Sequence, residues 1–65
     1  MRVNTSKIKA ILAERDMAQK DLAAIAGMSS QSISAILTRG TCELKNAGKI
    51  ARGLNVPVSE IMKEV

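Results

Sequence analysis

The sequence predicts an all-α fold in which five short helices surround one core. Apolar residues recur three and four positions apart along most of the 65-residue chain, which is the spacing of one helix face. No segment shows the strict alternation of a half-buried strand. Because a chain of this length supports a single hydrophobic core, we expect one domain that spans residues 1–65.

The first two helices are predicted from their apolar stripes and end signals. Asn4-Thr5-Ser6 is a helix start signal, so the first helix should run from about Thr5 to Arg15. Its apolar members are Ile8, Ile11 and Leu12. Residues 16–18 should interrupt the helical structure between the first and second helices, and Gly27 should end the second helix in a left-handed conformation. The apolar members of the second helix are Leu22, Ala23, Ile25 and Ala26.

The remaining three helices follow the same logic. Ser29 is a favourable N-cap for the third helix, and Arg39-Gly40-Thr41 should form the loop after it, with Thr41 or Cys42 near the next cap. Asn55 can end the fourth helix, and Pro57 suits the start of a short fifth one. The apolar members of these helices are Ile33, Ile36 and Leu37, then Leu44, Ala47, Ile50, Ala51 and Leu54, then Val58, Ile61 and Met62.

The stretch from Gln19 to Leu37 meets the demands of two helices that cross steeply after a turn of about three residues. Ala23 supplies a small residue facing the partner helix, and Gly27 tolerates a positive φ without steric cost. Met28 should anchor the turn in the core. Each feature alone fits any small helical bundle, and only their fixed spacing favours a helix-turn-helix.

The outer face of the third helix suits the DNA major groove. It carries short, neutral side chains that allow close approach, namely Ser30, Gln31, Ser34 and Ala35. Glutamine can pair with adenine through two hydrogen bonds, serine can bond several bases, and an alanine methyl can pack on the thymine methyl. The alternative is an ordinary solvated polar face.

The charge distribution adds to this interpretation. Ten Lys and Arg against six Asp and Glu give a net charge of +4, a modest excess that is informative only where it clusters. Residues 1–9 contain three cations and no acid, residues 39–52 contain four cations and one acid, and residues 22–38 contain no charge. Lys45, Lys49 and Arg52 could form either a phosphate clamp or a solvated helix face.

Several other functions are disfavoured by composition. The chain has no Phe, Tyr or Trp, on which single-stranded nucleic acids usually stack. With no His and one Cys, the usual zinc ligand sets cannot form, and we expect neither a metal nor another cofactor. The absence of a leader, of a long apolar run and of a second cysteine favours a cytoplasmic protein without membrane partners. Cys42 could be a redox sensor, if Arg39 and a helix N-terminus lowered its pKa, or simply a half-buried small residue.

The motif Gln19-x-x-Leu22-Ala23-x-x-x-Gly27-Met28-Ser29-x-x-x-Ile33-Ser34-x-Ile36 resembles the phage-repressor and Cro-like, or XRE-type, helix-turn-helix family. Residues 48–56 and Ser59-Glu60-Ile61 are similar to its fourth and fifth helices, so the likeness covers about residues 5–63. It implies a lambda-repressor-like fold with the helix-turn-helix formed by helices 2 and 3.

The resemblance also implies roles for individual residues. Bases would be contacted by Ser30, Gln31, Ser34 and Ala35, and the DNA backbone by Gln19, Ser29, Ser32, Thr38, Arg39 and Lys45. The chain departs from many relatives, which pair an Arg in the first helix with a Glu late in the third. Leu12 and Leu37 stand at the matching positions, so we expect an apolar contact there, which can equal a buried ion pair in stability. The loop after Ile36 also differs in length, which bears on the roles of Thr38 and Arg39.

The hypothesis that follows is a sequence-specific regulator of double-stranded DNA, acting as a repressor and binding a palindromic operator as a homodimer. The expected dimer patch lies near the last helix and comprises Val58, Ile61, Met62 and Val65. The alternative is a protein-interaction module, such as an antitoxin that masks a toxin or another regulator, because one fold can serve both uses. An enzyme is disfavoured, since no histidine or plausible carboxylate pair is present.

Overall fold

A computed structural model describes residues 1–63, and five helices account for most of them. The helices are α1 (Thr5–Glu14), α2 (Gln19–Ala26), α3 (Ser30–Arg39), α4 (Leu44–Leu54) and α5 (Val58–Ile61). Residues 1–63 contain isolated β-bridges but no strand, so the all-α prediction is confirmed. No helix in this part of the chain is long and apolar enough to cross a membrane.

One apolar core joins all five helices. Each helix contributes at least one large side chain with no exposed surface, and these are Ile8, Leu22, Ile33, Leu54 and Ile61. Burying such a side chain stabilises a fold by about 1.5–3 kcal/mol. No polar or charged side chain is buried among the residues that the structure describes, so the stability of this core depends on apolar packing.

Short polar side chains fix where the first helices begin. The Asn4 Oδ1 atom accepts a hydrogen bond of 3.0 Å from the Lys7 amide at the start of α1. At the start of α2, the Asp21 carboxylate accepts one of 2.8 Å from the Ala18 amide. Both contacts satisfy amides that have no partner within the helix, and Asp21 also places a negative charge at the positive end of the helix dipole.

The end of α3 differs from the sequence prediction. Arg39 belongs to α3, because the helix continues until Gly40 adopts a φ of 76° and its amide bonds the Ile36 carbonyl. The cap of α4 is Glu43, so Cys42 lies next to the cap as predicted. Residues 40–42 are held instead in backbone pairing with the first residues of the chain.

Four residues predicted in apolar stripes are not buried: Ile25 is 48% exposed and Val58 36%, and Leu44 and Met62 also lie outside the core. Leu44 is 76% exposed. It is the first residue of α4 and lies one turn before Ala47, the first buried residue of that helix. Met62 follows α5 in an extended conformation with φ −79° and ψ 143°. It leaves the helix because it forms a bridge with Val3.

The N-terminal segment, Met1–Asn4, lies between two other parts of the chain. On one side, the Val3 amide donates to the Gly40 carbonyl at 2.9 Å, and the Cys42 amide donates to the Met1 carbonyl at 2.9 Å. On the other side, the Asn4 backbone amide donates to the Ile61 carbonyl at 2.8 Å, and the Lys63 backbone amide donates to the Arg2 carbonyl at 3.1 Å. The segment thus connects the loop after α3 with the end of α5.

Helices α2 and α4 approach each other closely at Gly53. A Cβ atom at this position would lie 3.2 Å from the Ile25 Cγ1 atom and 3.3 Å from the Ala26 backbone nitrogen. Both distances are tighter than ordinary van der Waals contact. The missing side chain at Gly53 therefore sets the position of the end of α2, just before the turn that leads to α3.

Candidate nucleic-acid interface

The turn between α2 and α3 has the geometry that its sequence predicts. Gly27 adopts the left-handed conformation, with φ 68° and ψ 36°, and the Met28 amide donates to the Ala23 carbonyl at 2.9 Å. Ala23 is buried, and Met28 is partly buried against the core. The expected roles of Ala23, Gly27 and Met28 are thereby confirmed, and α2 and α3 form a helix-turn-helix.

Ser29 fixes the first turn of α3. Its hydroxyl oxygen accepts a hydrogen bond of 3.1 Å from the Ser32 amide and donates one of 2.9 Å to the Ser32 hydroxyl. A serine cap of this kind stabilises a helix by about 0.5–2 kcal/mol relative to alanine. The same contacts hold both hydroxyls at the N-terminal end of α3, where backbone amides favour anions.

Helix α3 has a buried inner face and an open outer face. Ile33, Ile36 and Leu37 are buried. Ser30, Gln31 and Ser34 are exposed, while Ala35 is partly buried. The four residues predicted to contact bases therefore share the outer face, although Ala35 lies closer to the protein than the others, and their contacts with bases remain predictions.

An open groove of about 510 Å³ runs beside this outer face. Ser32, Ala35 and Arg39 form its α3 wall. The other wall contains the loop residues Thr41, Cys42 and Glu43 together with Asn46 of α4, and Met1 also lines it. We call this space the recognition groove.

Sequence reasoning did not place Asn46, Glu43 or Met1 in this region. Asn46 belongs to α4 and Met1 lies far from α3 in the chain, so only the tertiary fold brings them together. Glu43 is the only carboxylate among the described residues that line the groove. The helical pattern alone gave no signal for any of the three.

The residues predicted to contact the DNA backbone are all exposed, and most lie at helix ends. They are Gln19, Ser29, Ser32, Thr38, Arg39 and Lys45. Gln19 is the first residue of α2, Arg39 the last residue of α3, and Lys45 the second residue of α4. Polar and cationic groups thus lie on either side of the neutral outer face of α3, although backbone contacts by these residues remain predictions.

The surroundings of Cys42 do not lower the pKa of its thiol, as a redox sensor would require. Burial raises the pKa of its thiol above the usual value of 9.0, and the nearby Glu43 carboxylate also favours the protonated form of the thiol. The N-terminal ammonium and a hydrogen bond from the Ala47 backbone act in the opposite direction but are outweighed. A thiol that stays protonated is a poor nucleophile, so the half-buried packing role is the better description.

A helix-turn-helix family model of the XRE type matches residues 8–61. The chain belongs to the XRE-type helix-turn-helix family. This is a family of DNA-binding regulators and generally not of enzymes, and the match assigns DNA binding to the fold formed by α1–α5. Comparisons with curated proteins and with solved structures gave no match.

Leu12 and Leu37 lie where the resemblance implies an ion pair in many relatives. Both are 5% exposed and belong to the same apolar core cluster. Their burial agrees with the expected apolar replacement, while a direct contact between them remains a prediction. No charged side chain is buried among residues 1–63, so the described core contains no buried ion pair.

The predicted dimer patch is only partly accessible. Ile61 is completely buried, whereas Val58 is 36% and Met62 45% exposed. Including Ile61 in this patch was wrong, because the single turn of α5 directs that side chain into the core. Val65 lies outside the described residues, and among the described members of the patch Val58 and Met62 are accessible.

Proposed function

We propose that this XRE-type protein is a sequence-specific transcriptional repressor that inserts α3 into the major groove of double-stranded DNA. The observation that carries the proposal is the exposed, uncharged outer face of α3, with the exposed Arg39 as its last residue and the exposed Lys45 in the first turn of α4. A neutral face can approach base edges, while neighbouring cations hold the phosphates. The whole chain would work as one DNA-binding domain.

Base selection would depend on Gln31 and the serines of the outer face. Gln31 lies in the first turn of α3, which is the part of a recognition helix that reaches base edges. Its amide can form two hydrogen bonds with adenine. Ser30 and Ser34 have shorter side chains and would add contacts that several bases can satisfy, and the Ala35 methyl would pack against a thymine methyl.

Affinity would come mainly from phosphate contacts. Ser29 and Gln19 lie at helix N-termini, where backbone amides also favour anions, and Arg39 and Lys45 supply positive charge at the other end of α3. Ser32 and Thr38 would add hydroxyl contacts. Each neutralised phosphate releases counterions, so the logarithm of affinity should fall steeply with the logarithm of salt concentration.

A two-fold homodimer on a palindromic operator would supply the specificity that one domain lacks. A single module buries only about 600–1,000 Å² on DNA, and half-sites of related motifs lie about 34 Å apart. The molecule measures 29 × 22 × 19 Å, so two copies on successive major grooves would lie side by side. Val58 and Met62 offer apolar surface for a small contact between them.

Selection of bound fragments from random duplex DNA tests the proposal. We expect an enriched site with two-fold symmetry and half-sites about 10 base pairs apart, and binding that weakens sharply with salt. Enrichment of no sequence, together with affinity that is indifferent to salt, would refute it. An enriched site without symmetry would retain DNA binding and reject the dimer.

A second candidate function is a protein-interaction module, such as an antitoxin that covers a partner protein. Leu44 favours it, because a leucine that is 76% exposed at the start of α4 is a possible docking residue. Isolation of the tagged protein from its own cells distinguishes the two functions. One stoichiometric protein without enriched DNA would favour this second function over repression.

A further inference from the structure

The N-terminal segment brings Arg2 to the loop that follows α3. Arg2 and Thr41 form an antiparallel bridge. The flanking hydrogen bonds join Val3 to Gly40 and Cys42 to Met1, so Arg2 and Thr41 are a pair without direct hydrogen bonds between them. In such a pair the Cα atoms are about 4.5 Å apart and the side chains lie together on one face.

The backbone around Arg2 is held firmly. Val3 is 2% exposed and packs in the core, and the Arg2 carbonyl accepts a hydrogen bond of 3.1 Å from the Lys63 amide. Because successive side chains of an extended chain point to opposite sides, the burial of Val3 turns Arg2 outward. Arg2 is accordingly exposed. It is therefore positioned by the fold rather than carried on a free arm.

Thr41 connects this pair with the recognition groove. Thr41 and Met1 line that groove together with Ser32 and Arg39 of α3, so Arg2, which follows Met1 and pairs with Thr41, lies next to the groove. Within residues 1–63 the ion pair found is that of Lys7 with Glu60, and Arg2 takes part in none. Arg2 is exposed and its neighbours pair with Gly40 and Cys42, so its guanidinium can reach an anion at the C-terminal end of α3.

We propose that Arg2 is a further phosphate-binding residue, which holds the DNA backbone beside the C-terminal end of α3. The inference rests on the proposed DNA-binding function and adds one contact to it. Guanidinium groups suit phosphate because their planar donors can form two parallel hydrogen bonds. Arg2 and Arg39 would then both bind phosphates of the DNA backbone, although they belong to segments that are distant in sequence.

Arg2→Gln and Lys7→Gln provide a matched test, because each removes one positive charge. Lys7 lies on α1 beside Glu60 of α5, and it does not line the recognition groove. Affinity is measured over a range of salt concentrations, on the selected operator and on an unrelated duplex. For Arg2→Gln we expect several-fold weaker binding to both duplexes and a salt slope reduced by about 1. Lys7→Gln should show a much smaller change.

Equal effects of Arg2→Gln and Lys7→Gln would overturn the inference, as would a loss confined to the operator, since a phosphate contact is indifferent to sequence. Arg2→Lys separates charge from folding. It should retain the salt slope but lose part of the affinity, because lysine keeps the charge and not the two parallel hydrogen bonds. A salt slope as low as that of Arg2→Gln would show that charge is not the cause. Thermal unfolding of each variant checks the fold. If the unaltered protein selects no DNA, the proposed function itself fails before Arg2 is tested.

Discussion

At the scale of single residues, recognition of the DNA sequence should depend most on Gln31. It is exposed on the outer face of α3 and is the only residue there with two side-chain groups that match an adenine edge. We expect Gln31→Ala to cost about 1–3 kcal/mol on the preferred site and to relax preference at one base position. Affinities for operators changed at each position in turn provide the measurement.

Ser59→Ala, on α5, is a suitable control for this substitution. Ser59 is exposed and does not line the recognition groove, so its loss should leave the whole affinity profile unchanged. If Gln31→Ala weakened every DNA sequence by the same factor, Gln31 would have to contact phosphate rather than a base.

Cys42 should make the stability of the protein dependent on alkaline pH. Burial raises the pKa of its thiol above the value of 9.0 expected in the unfolded chain. A raised pKa means that the folded state holds the proton more tightly. The resulting stability is fully present below the unfolded pKa and is lost as pH rises through the folded pKa. Urea unfolding from pH 7 to pH 10.5 should show this decline.

Cys42→Ala removes the titrating group, so its stability should fall less between pH 8 and pH 10.5 than that of the unaltered protein. Every other pH-dependent contribution is common to the two proteins, so the comparison isolates that of the thiol. Parallel pH profiles for the two proteins would show that burial of the thiol has no energetic consequence.

At the scale of the elements, the positions of the helices could be predicted because their signals are local. The apolar stripe of α1, the cap at Ser29 and the left-handed residues Gly27 and Asn55 all act within one or two turns. The exact start of α4 and the departure of Met62 from α5 could not be predicted. Both depend on backbone pairing with the N-terminal segment, and hydrogen bonds between distant backbones leave no periodic pattern in sequence.

The two glycines of α4 should respond oppositely to the same substitution. A Cβ on Gly48 would meet only the Arg52 Nη1 atom, at 3.8 Å, whereas a Cβ on Gly53 would meet the backbone of Ile25 and Ala26 at 3.3 Å. Alanine favours a helix over glycine by up to about 1 kcal/mol. We expect Gly48→Ala to stabilise the fold by that order, and Gly53→Ala to lower stability because α2 must move.

Chemical denaturation of both variants measures the difference, and each serves as the control for the other because helix propensity changes equally. Gly53→Ala should also weaken DNA binding, since the displaced end of α2 leads directly into the turn at Gly27. An equal gain of stability in both variants would contradict the close packing of α2 against α4.

At the scale of the whole molecule, the accessible part of the dimer patch can be tested separately from the core. Met62 is 45% exposed, while Ile61 has no exposed surface. We expect Met62→Asp to preserve the fold and abolish the dimer, and Ile61→Asp to unfold the protein because it buries an unpaired charge. Light scattering gives the mass and circular dichroism the helix content. A Met62→Asp variant that remained a dimer would place the contact elsewhere, with Leu44 the next candidate.

The candidate site could be predicted in part. The outer face of α3 follows from helical spacing, so Ser30, Gln31 and Ser34 were found from sequence. The recognition groove could not be predicted, because its walls come from α3, the loop after it, α4 and the first residue of the chain. Such a convergence is a property of tertiary packing.

The pairing of the two ends of the chain also bears on the order of folding. The hydrogen bonds of Asn4 with Ile61 and of Lys63 with Arg2 span almost the whole sequence. Contacts of such separation carry the largest loop-closure entropy and tend to form after local helices have docked. During folding, α1–α4 would therefore assemble first, and residues 2–4 would complete their pairing only once α5 had docked. The loop that follows α3 thus acquires its final support late in folding.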